Sequence, residues 1–151
     1  MTRKKTFLIL GIVVAAIVIA VCVFMFNTGI ELPNSENVTR IEMERVHTPG
    51  IAEKYSDGVA ATEHYYDINS ILTALSSAKK ARFSWYSAAN DVPSAEEYLA
   101  IRINAEKEGG TFYLYRDGNG YYVYVPYIGI YGISQRSYTG IDNMYTLMEK
   151  K

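Results

Sequence analysis

An uninterrupted apolar run, Phe7 to Phe26, occupies the N-terminal part of the sequence and carries no charged side chain over twenty residues. An α-helix rises about 1.5 Å per residue, so this length matches the ~30 Å hydrocarbon core of a bilayer. Arg3, Lys4 and Lys5 precede the run, and the first cation after it is Arg40. Because cationic residues stay on the cytoplasmic side, we predict a single-pass protein of the cell membrane with a cytoplasmic N-terminus and an external C-terminal part.

Two other kinds of N-terminal segment have partly similar sequences. A cleaved signal peptide has an apolar region of about 7–15 residues that ends in a small-x-small site, and residues 24–27 offer no such pair. A lipoprotein signal needs a small residue before its cysteine, whereas Val21 precedes Cys22. We therefore predict an uncleaved anchor that buries Cys22. Because this is the only cysteine of the chain, the external part has no disulfide bond.

This anchor divides the chain into four parts. They are a cytoplasmic tail (1–6), the transmembrane anchor (7–26), a polar stalk (27–37) and an extracytoplasmic domain (38–151). The whole chain has a net charge of −1, but residues 30–151 contain 12 Lys or Arg and 16 Asp or Glu, which gives −4. A mildly acidic domain without a basic stripe argues against a nucleic-acid partner.

The pattern outside the anchor predicts an α+β domain in which a small antiparallel sheet packs with two helices. We expect one helix from about Ile68 to Lys80, with Asp67 as its N-cap, and a second from Gln135 to Glu149 after Ser134. The strands are predicted over residues 38–46, 99–104, 111–116 and 121–125, with shorter candidates at 59–66 and 83–86. The sequence Asp117-Gly118-Asn119-Gly120 predicts a hairpin turn.

Tyrosine is the strongest anomaly of the composition. The chain has 14, and seven of them lie between residues 113 and 131. Pairing the predicted hairpin about its turn puts Tyr113, Tyr115, Tyr122 and Tyr124 on one face and the aliphatic residues on the other. Tyrosine rings offer rigid contact area with a polar tip, so we predict an exposed docking surface. The alternative is that these rings stabilise the sheet through cross-strand pairs.

The sequence contains no recognisable catalytic or metal-binding motif. His47 and His64 have no metal-ligand spacing, and no nucleophile motif such as G-x-S-x-G is present. We predict no cofactor, no metal and no enzymatic activity. The alternative is a hydrolase that acts on envelope material through carboxylates in a cleft. That cleft would be lined by two or more of Glu42, Glu44, Asp91 and Glu96.

Three segments carry a resemblance to a known family: residues 110–115 (GTFYLY), 120–123 (GYYV) and 126–133 (PYIGIYGI). With the upstream Glu31-Leu32-Pro33, they resemble an uncharacterised family from Gram-positive bacteria. Its members are small extracytoplasmic domains of unknown function with a membrane or lipid anchor. The resemblance covers roughly residues 30–150, implies a cell-surface location and brings no catalytic residues.

The predicted function is therefore that of a membrane-anchored binding or accessory module. Its partners would be the bilayer, through residues 7–26, and a protein, a peptide or an envelope polymer, through the tyrosine face. A further alternative is an inhibitory domain that occupies the active site of a membrane or secreted enzyme.

Overall fold

The computed structural model describes residues 3–26, 28–48, 54–81, 90–107 and 109–149. The first helix, α1, spans Arg3–Phe26, and its side chains are described for residues 10–22, all of which are exposed. In the described part of the chain, no helix combines the length and the apolar character needed to cross a membrane. The predicted anchor of residues 7–26 is therefore unsupported by this finding and stays a prediction.

The remaining described residues form the predicted α+β domain, built on one antiparallel sheet. Within them the sheet has seven strands in the order β2-β1-β4-β5-β6-β7-β3. Two helices, α2 (Tyr65–Ser76) and α3 (Gln135–Glu149), cover one face. The strands are β1 (Val38–His47), β2 (Tyr55–Thr62), β3 (Lys79–Lys80), β4 (Glu97–Ala105), β5 (Gly110–Asp117), β6 (Gly120–Val125) and β7 (Gly129–Gly132).

The main core lies between the sheet and these two helices. Alternate strand residues point towards the helices because successive side chains of a strand point to opposite faces. Helix α2 contributes the residues at its i, i+3, i+4 and i+7 positions, so its apolar stripe meets this sheet face. The largest fully buried side chains here include Ile41, Met43, Ile71, Leu75 and Ile101.

Helix α2 differs from its prediction at both ends. His64 is the N-cap, and Asp67 lies in the first turn, where its carboxylate accepts a hydrogen bond from the Thr62 hydroxyl at 3.2 Å. The helix ends at Ser76, and Lys79–Lys80 form β3 beside β7 instead of a last helical turn. Helical spacing alone does not predict this end, because the strand pairing that replaces it is a tertiary contact.

Helix α3 begins and ends where the sequence predicts. The backbone N–H of Ser137 donates to the hydroxyl of Ser134 at 3.1 Å, which satisfies one of the free N–H groups of the first turn. The predicted strand at residues 83–86 lies outside the described residues, and the second strand spans Tyr55–Thr62 rather than residues 59–66.

Residues 28–37, predicted as part of a polar stalk, pack against the domain. Gly29 pairs with Lys79 at the edge of the sheet, and Ile30 and Leu32 contact the main core. Pro33 is buried, and a short 3₁₀ helix, Ser35–Asn37, leads into β1. The composition of this segment is polar on average, but its few apolar residues bind it to the core.

Candidate functional site

The four predicted tyrosines share one face of the β5–β6 hairpin. Tyr113 lies opposite Tyr124, and Tyr115 lies opposite Tyr122. Asp117 pairs with Gly120, so the turn has two central residues, and Gly118 adopts a φ of 55° that glycine tolerates well. The predicted register is therefore confirmed.

The exposure predicted for this face is wrong. Tyr124 is 1% exposed and Tyr115 9%, while Tyr113 and Tyr122 are half-buried. Together with Val46, Tyr98 and Ala100 they form a second, smaller core on the sheet face opposite the helices. The rings pack against one another, with 5.4 Å between the centroids of Tyr98 and Tyr113 and 5.6 Å between those of Tyr115 and Tyr122. Whether any of the four binds a partner stays a prediction.

The segment 90–96 covers this second core and is held there by hydrogen bonds. The hydroxyl of Tyr124 donates to the carbonyl of Asn90 at 2.6 Å and accepts the Asn90 N–H at 3.2 Å. At the other end of the segment, the hydroxyl and N–H of Thr48 donate to the carbonyls of Ala95 and Glu96. The polar tip that suggested a docking surface thus binds the chain's own backbone.

An open cleft of about 830 Å³ lies beside this covered face, at the end of the sheet where β4 begins and β5 ends. Segment 93–97, the β5–β6 turn and the first turns of α3 form its walls. These elements bring together four tyrosines and three carboxylates: Tyr115, Tyr121, Tyr124, Tyr138, Glu96, Glu97 and Asp117. The volume lies within the range of small-ligand sites, about 300–1,000 Å³.

The charged groups of the cleft differ in how far they are neutralised. Glu97 lies 3.7 Å from Arg45 and 3.5 Å from His47. Within the described residues, Glu96 and Asp117 form no salt bridge, and both are exposed. The guanidinium of Arg116 donates to the carbonyl of Gly118 at 3.1 Å and lies over the Tyr121 ring. Because Arg116 offsets one of the two unpaired carboxylates, the cleft keeps a small negative charge.

Two tyrosines of the cleft, Tyr115 and Tyr138, have a raised pKa. Burial, followed by the nearby Asp117 carboxylate, raises the pKa of Tyr115 to about 12. Burial and the carboxylate of Asp142 raise the pKa of Tyr138, whose ring lies 4.8 Å from that of Tyr121. The cleft therefore presents aromatic rings between carboxylates, an arrangement that attracts cations both by charge and by the ring faces.

The carboxylates of the hydrolase alternative do not converge. Glu42 pairs with Arg40 at 3.0 Å, and Glu44 pairs with Arg102 at 2.6 Å, which lowers the pKa of Glu44. Asp91 accepts a hydrogen bond from the hydroxyl of Tyr127, and of the four only Glu96 lines the cleft. Within the described ranges, no three His, Cys, Asp or Glu side chains are placed to hold a metal ion.

Sequence reasoning did not find the cleft as a site. Tyr138 lies in the predicted last helix and Asp117 in the predicted turn, and both elements form where the sequence predicts them. The residues of the cleft come from three segments that lie far apart in the chain. The one available signal was the concentration of tyrosine after residue 113. It indicated strands β5 and β6, which line the cleft, but it placed the binding surface on the sheet face that is covered in the structure.

The fold and its cleft define a small α+β domain, and comparison with known proteins assigns it to a family. The family model DUF5301, described as "Domain of unknown function (DUF5300)", matches residues 26–132. The chain belongs to this family, and the predicted membership of an uncharacterised family is confirmed. The anchoring and the Gram-positive origin that the resemblance implied stay predictions.

A solved structure supports the fold. The chain is similar to the NMR structure of a protein from Ruminococcus gnavus, with 26% sequence identity and a TM-score of 0.52. The match covers 73% of this chain and 99% of that chain. No curated protein matches this sequence significantly.

Proposed function

We propose that this protein is a membrane-anchored binding module whose cleft receives a cationic segment of a protein or peptide. The observation that carries the proposal is the placement of tyrosine rings beside two carboxylates that have no salt-bridge partner among the described residues. A Lys or Arg side chain could satisfy both kinds of group at once. The proposal keeps the predicted binding role and moves it from the sheet face to the cleft.

Electrostatics favour a cationic ligand over a neutral or acidic one. Glu96 and Asp117 are exposed at the rim, so they would attract cations without a large loss of hydration. Tyr121 and Tyr138 line the cleft, and a guanidinium or ammonium binds such rings favourably, as the guanidinium of Arg116 already does over the Tyr121 ring. The net charge of −4 over residues 30–151 acts in the same direction at longer range.

Two features support the proposed anchor. The first is the twenty-residue apolar run, with cations on its N-terminal side only. The second is the exposure of apolar side chains around α1, including Leu10 at 58% and Ile19 at 63%. A helix that is apolar on all sides needs a non-aqueous environment, and a bilayer would supply it.

The test is a binding assay on the full chain in nanodiscs of phosphatidylcholine, a zwitterionic lipid that does not itself attract the probes. The probes are a lysine-rich peptide and its glutamate-rich counterpart. We expect the lysine-rich peptide to bind and the glutamate-rich peptide not to bind. The double variant Glu96→Gln/Asp117→Asn should weaken binding by roughly three- to ten-fold, which corresponds to about 0.3–0.7 kcal/mol for each of the two exposed charges.

A matched variant separates the cleft from overall charge. Glu36→Gln/Glu106→Gln also removes two exposed carboxylates, but at the other end of the sheet. It should bind the lysine-rich peptide with an affinity within two-fold of that of the unmodified protein, because salt screens the attraction between the cleft-bound peptide and carboxylates at the other end of the sheet. Equal weakening by both double variants would mean that the peptide binds through net charge, and the cleft proposal would be wrong.

A further inference from the structure

The segment after α1 shows which end of the domain lies next to that helix. α1 ends at Phe26, and the carbonyl of Thr28 accepts the N–H of Lys80 at 3.0 Å. Gly29 then pairs antiparallel with Lys79. The chain therefore joins the edge of the sheet within three residues of the helix end, which at about 3.4 Å per residue is a distance of about 10 Å or less.

The register of β3 gives the direction of this entry. Lys80 lies opposite Tyr131 and Lys79 opposite Gly132, so the entering chain runs from the level of Tyr131 towards that of Gly132. It comes from the side of Gly129, where β7 begins. α1 consequently joins the domain at the end of the sheet that carries the β6–β7 turn, and the cleft lies at the opposite end.

Two exposed apolar pairs lie at the end next to α1. The β6–β7 turn carries Tyr127 and Ile128, which are 68% and 63% exposed. Strand β2 ends beside the start of β1, also at this end, and α2 begins there with Tyr65 and Tyr66, which are more than half exposed. Both pairs therefore project from the side of the domain on which α1 ends.

Tyr127 keeps its position against a backbone preference. Its φ is 60°, in the left-handed region that glycine and asparagine adopt more readily. Its hydroxyl donates to the carboxylate of Asp91, and its ring stays exposed. Strained residues persist where the surrounding structure or a function maintains them. The turn thus holds the ring of Tyr127 at the surface of the domain.

We propose that the end of the domain formed by the β6–β7 turn and the start of α2 rests on the lipid–water interface of the bilayer that holds α1. This inference depends on the anchor in the proposed function. Tyrosine suits that interface because its ring is apolar and its hydroxyl is polar. Glu31 and Asp91 lie beside the turn, and the exposed carboxylates of Glu36 and Glu106 lie at the same end of the sheet, so the contact is made by the exposed rings and Ile128 and is independent of anionic lipid. Because the cleft lies at the opposite end of the sheet, this arrangement directs the cleft away from the membrane, towards an external partner.

Fluorescence quenching on the full chain in phosphatidylcholine nanodiscs tests this arrangement. The single native cysteine is removed by Cys22→Ala, and a bimane label is attached after Ile128→Cys, Asn119→Cys or Ile17→Cys. A lipid with a nitroxide in the headgroup region and one with a nitroxide on the acyl chain act as quenchers. Ile17 reports the insertion of α1, and Asn119 reports the exposed turn at the opposite end of the sheet.

We expect the headgroup quencher to reduce emission from the label at position 128 and to leave the label at 119 unchanged. Adding phosphatidylglycerol should not alter this difference. Tyr127→Asn, which keeps a residue suited to a positive φ, should abolish the quenching at 128. If the acyl-chain quencher reduces emission from the label at position 17 while the labels at 128 and 119 are quenched equally by the headgroup quencher, the anchor is supported and the interfacial contact is wrong. If the label at position 17 is not quenched, both the anchor and the interfacial contact that depends on it are wrong.

Discussion

Replacing Tyr124 by phenylalanine removes one hydroxyl group that holds segment 90–96 over the second core. That hydroxyl donates to the carbonyl of Asn90 at 2.6 Å and accepts its N–H at 3.2 Å. The ring itself is almost fully buried and remains in place in the variant. The substitution therefore tests the closure of the tyrosine face without emptying its core.

The size of the effect follows from the two hydrogen bonds. Each contributes about 0.5–1.5 kcal/mol net, and more where its partner is left buried without water. We expect Tyr124→Phe to lower the free energy of unfolding by about 2 kcal/mol. With a urea dependence of about 1–3 kcal/mol per molar, the midpoint falls by about 1 M. The Asn90 amide should also exchange its hydrogen faster, because its acceptor is gone.

The assay is urea unfolding of the full chain in detergent micelles, followed by near-UV circular dichroism, together with hydrogen exchange at Asn90. Tyr66→Phe is the matched control, because that ring is 74% exposed and its loss of a hydroxyl should change stability by less than about 0.5 kcal/mol. If Tyr124→Phe unfolds at the same urea concentration as the control and Asn90 exchanges as before, the segment is not held by this hydroxyl.

Three further predictions concern individual contacts. Raising the pH from 10 towards 12 should destabilise the protein by about 2–3 kcal/mol through Tyr115. The pKa of Tyr115 is raised to about 12 in the folded state, so over this pH range the unfolded chain loses the proton of this tyrosine before the folded protein does. Tyr115→Phe should remove that loss of stability in alkaline unfolding curves. Gly109→Ala should cost about 1–2 kcal/mol in thermal unfolding, because its Cβ would lie 2.6 Å from the carbonyl oxygen of Ile103. Glu44→Gln should flatten the acid side of the stability profile below pH 4.5 by less than about 1 kcal/mol, since the Arg102 hydrogen bond lowers the pKa of Glu44 and the contribution disappears as that carboxylate is protonated. The three predictions would be contradicted, respectively, by an alkaline unfolding curve that Tyr115→Phe leaves unchanged, by an unchanged melting temperature of Gly109→Ala, and by an acid stability profile that Glu44→Gln leaves unchanged.

Local patterns in the sequence predict the sheet well. The alternation of Ile101 and Ile103 with polar residues is the direct consequence of strand geometry, and β4 appears where it indicates. The parity of a two-residue turn was enough to predict that Tyr115 faces Tyr122. Ser134 acts as a cap because its side chain lies only three residues from the N–H of Ser137 that it satisfies.

Contacts between distant segments could not be predicted in the same way. Asn90 and Tyr124 are 34 residues apart, and nothing in the polar sequence of segment 90–96 indicates that it lies on the tyrosine face. Strand β3 has only two residues, which is too few for a periodic signal. The cleft depends on the first of these arrangements, since its walls include segment 93–97 and its position depends on which tyrosines are already covered.

Chemical-shift mapping of the isotope-labelled full chain with the lysine-rich peptide tests the proposed cleft most directly. Titration should shift the amide signals of Glu96, Asp117 and Tyr138, and the side-chain variants Glu96→Gln and Asp117→Asn should reduce those shifts. The amides of Glu36 and Glu106, at the other end of the sheet, should not move. Saturable shifts confined to that other end, or no saturable shift anywhere, would contradict the account.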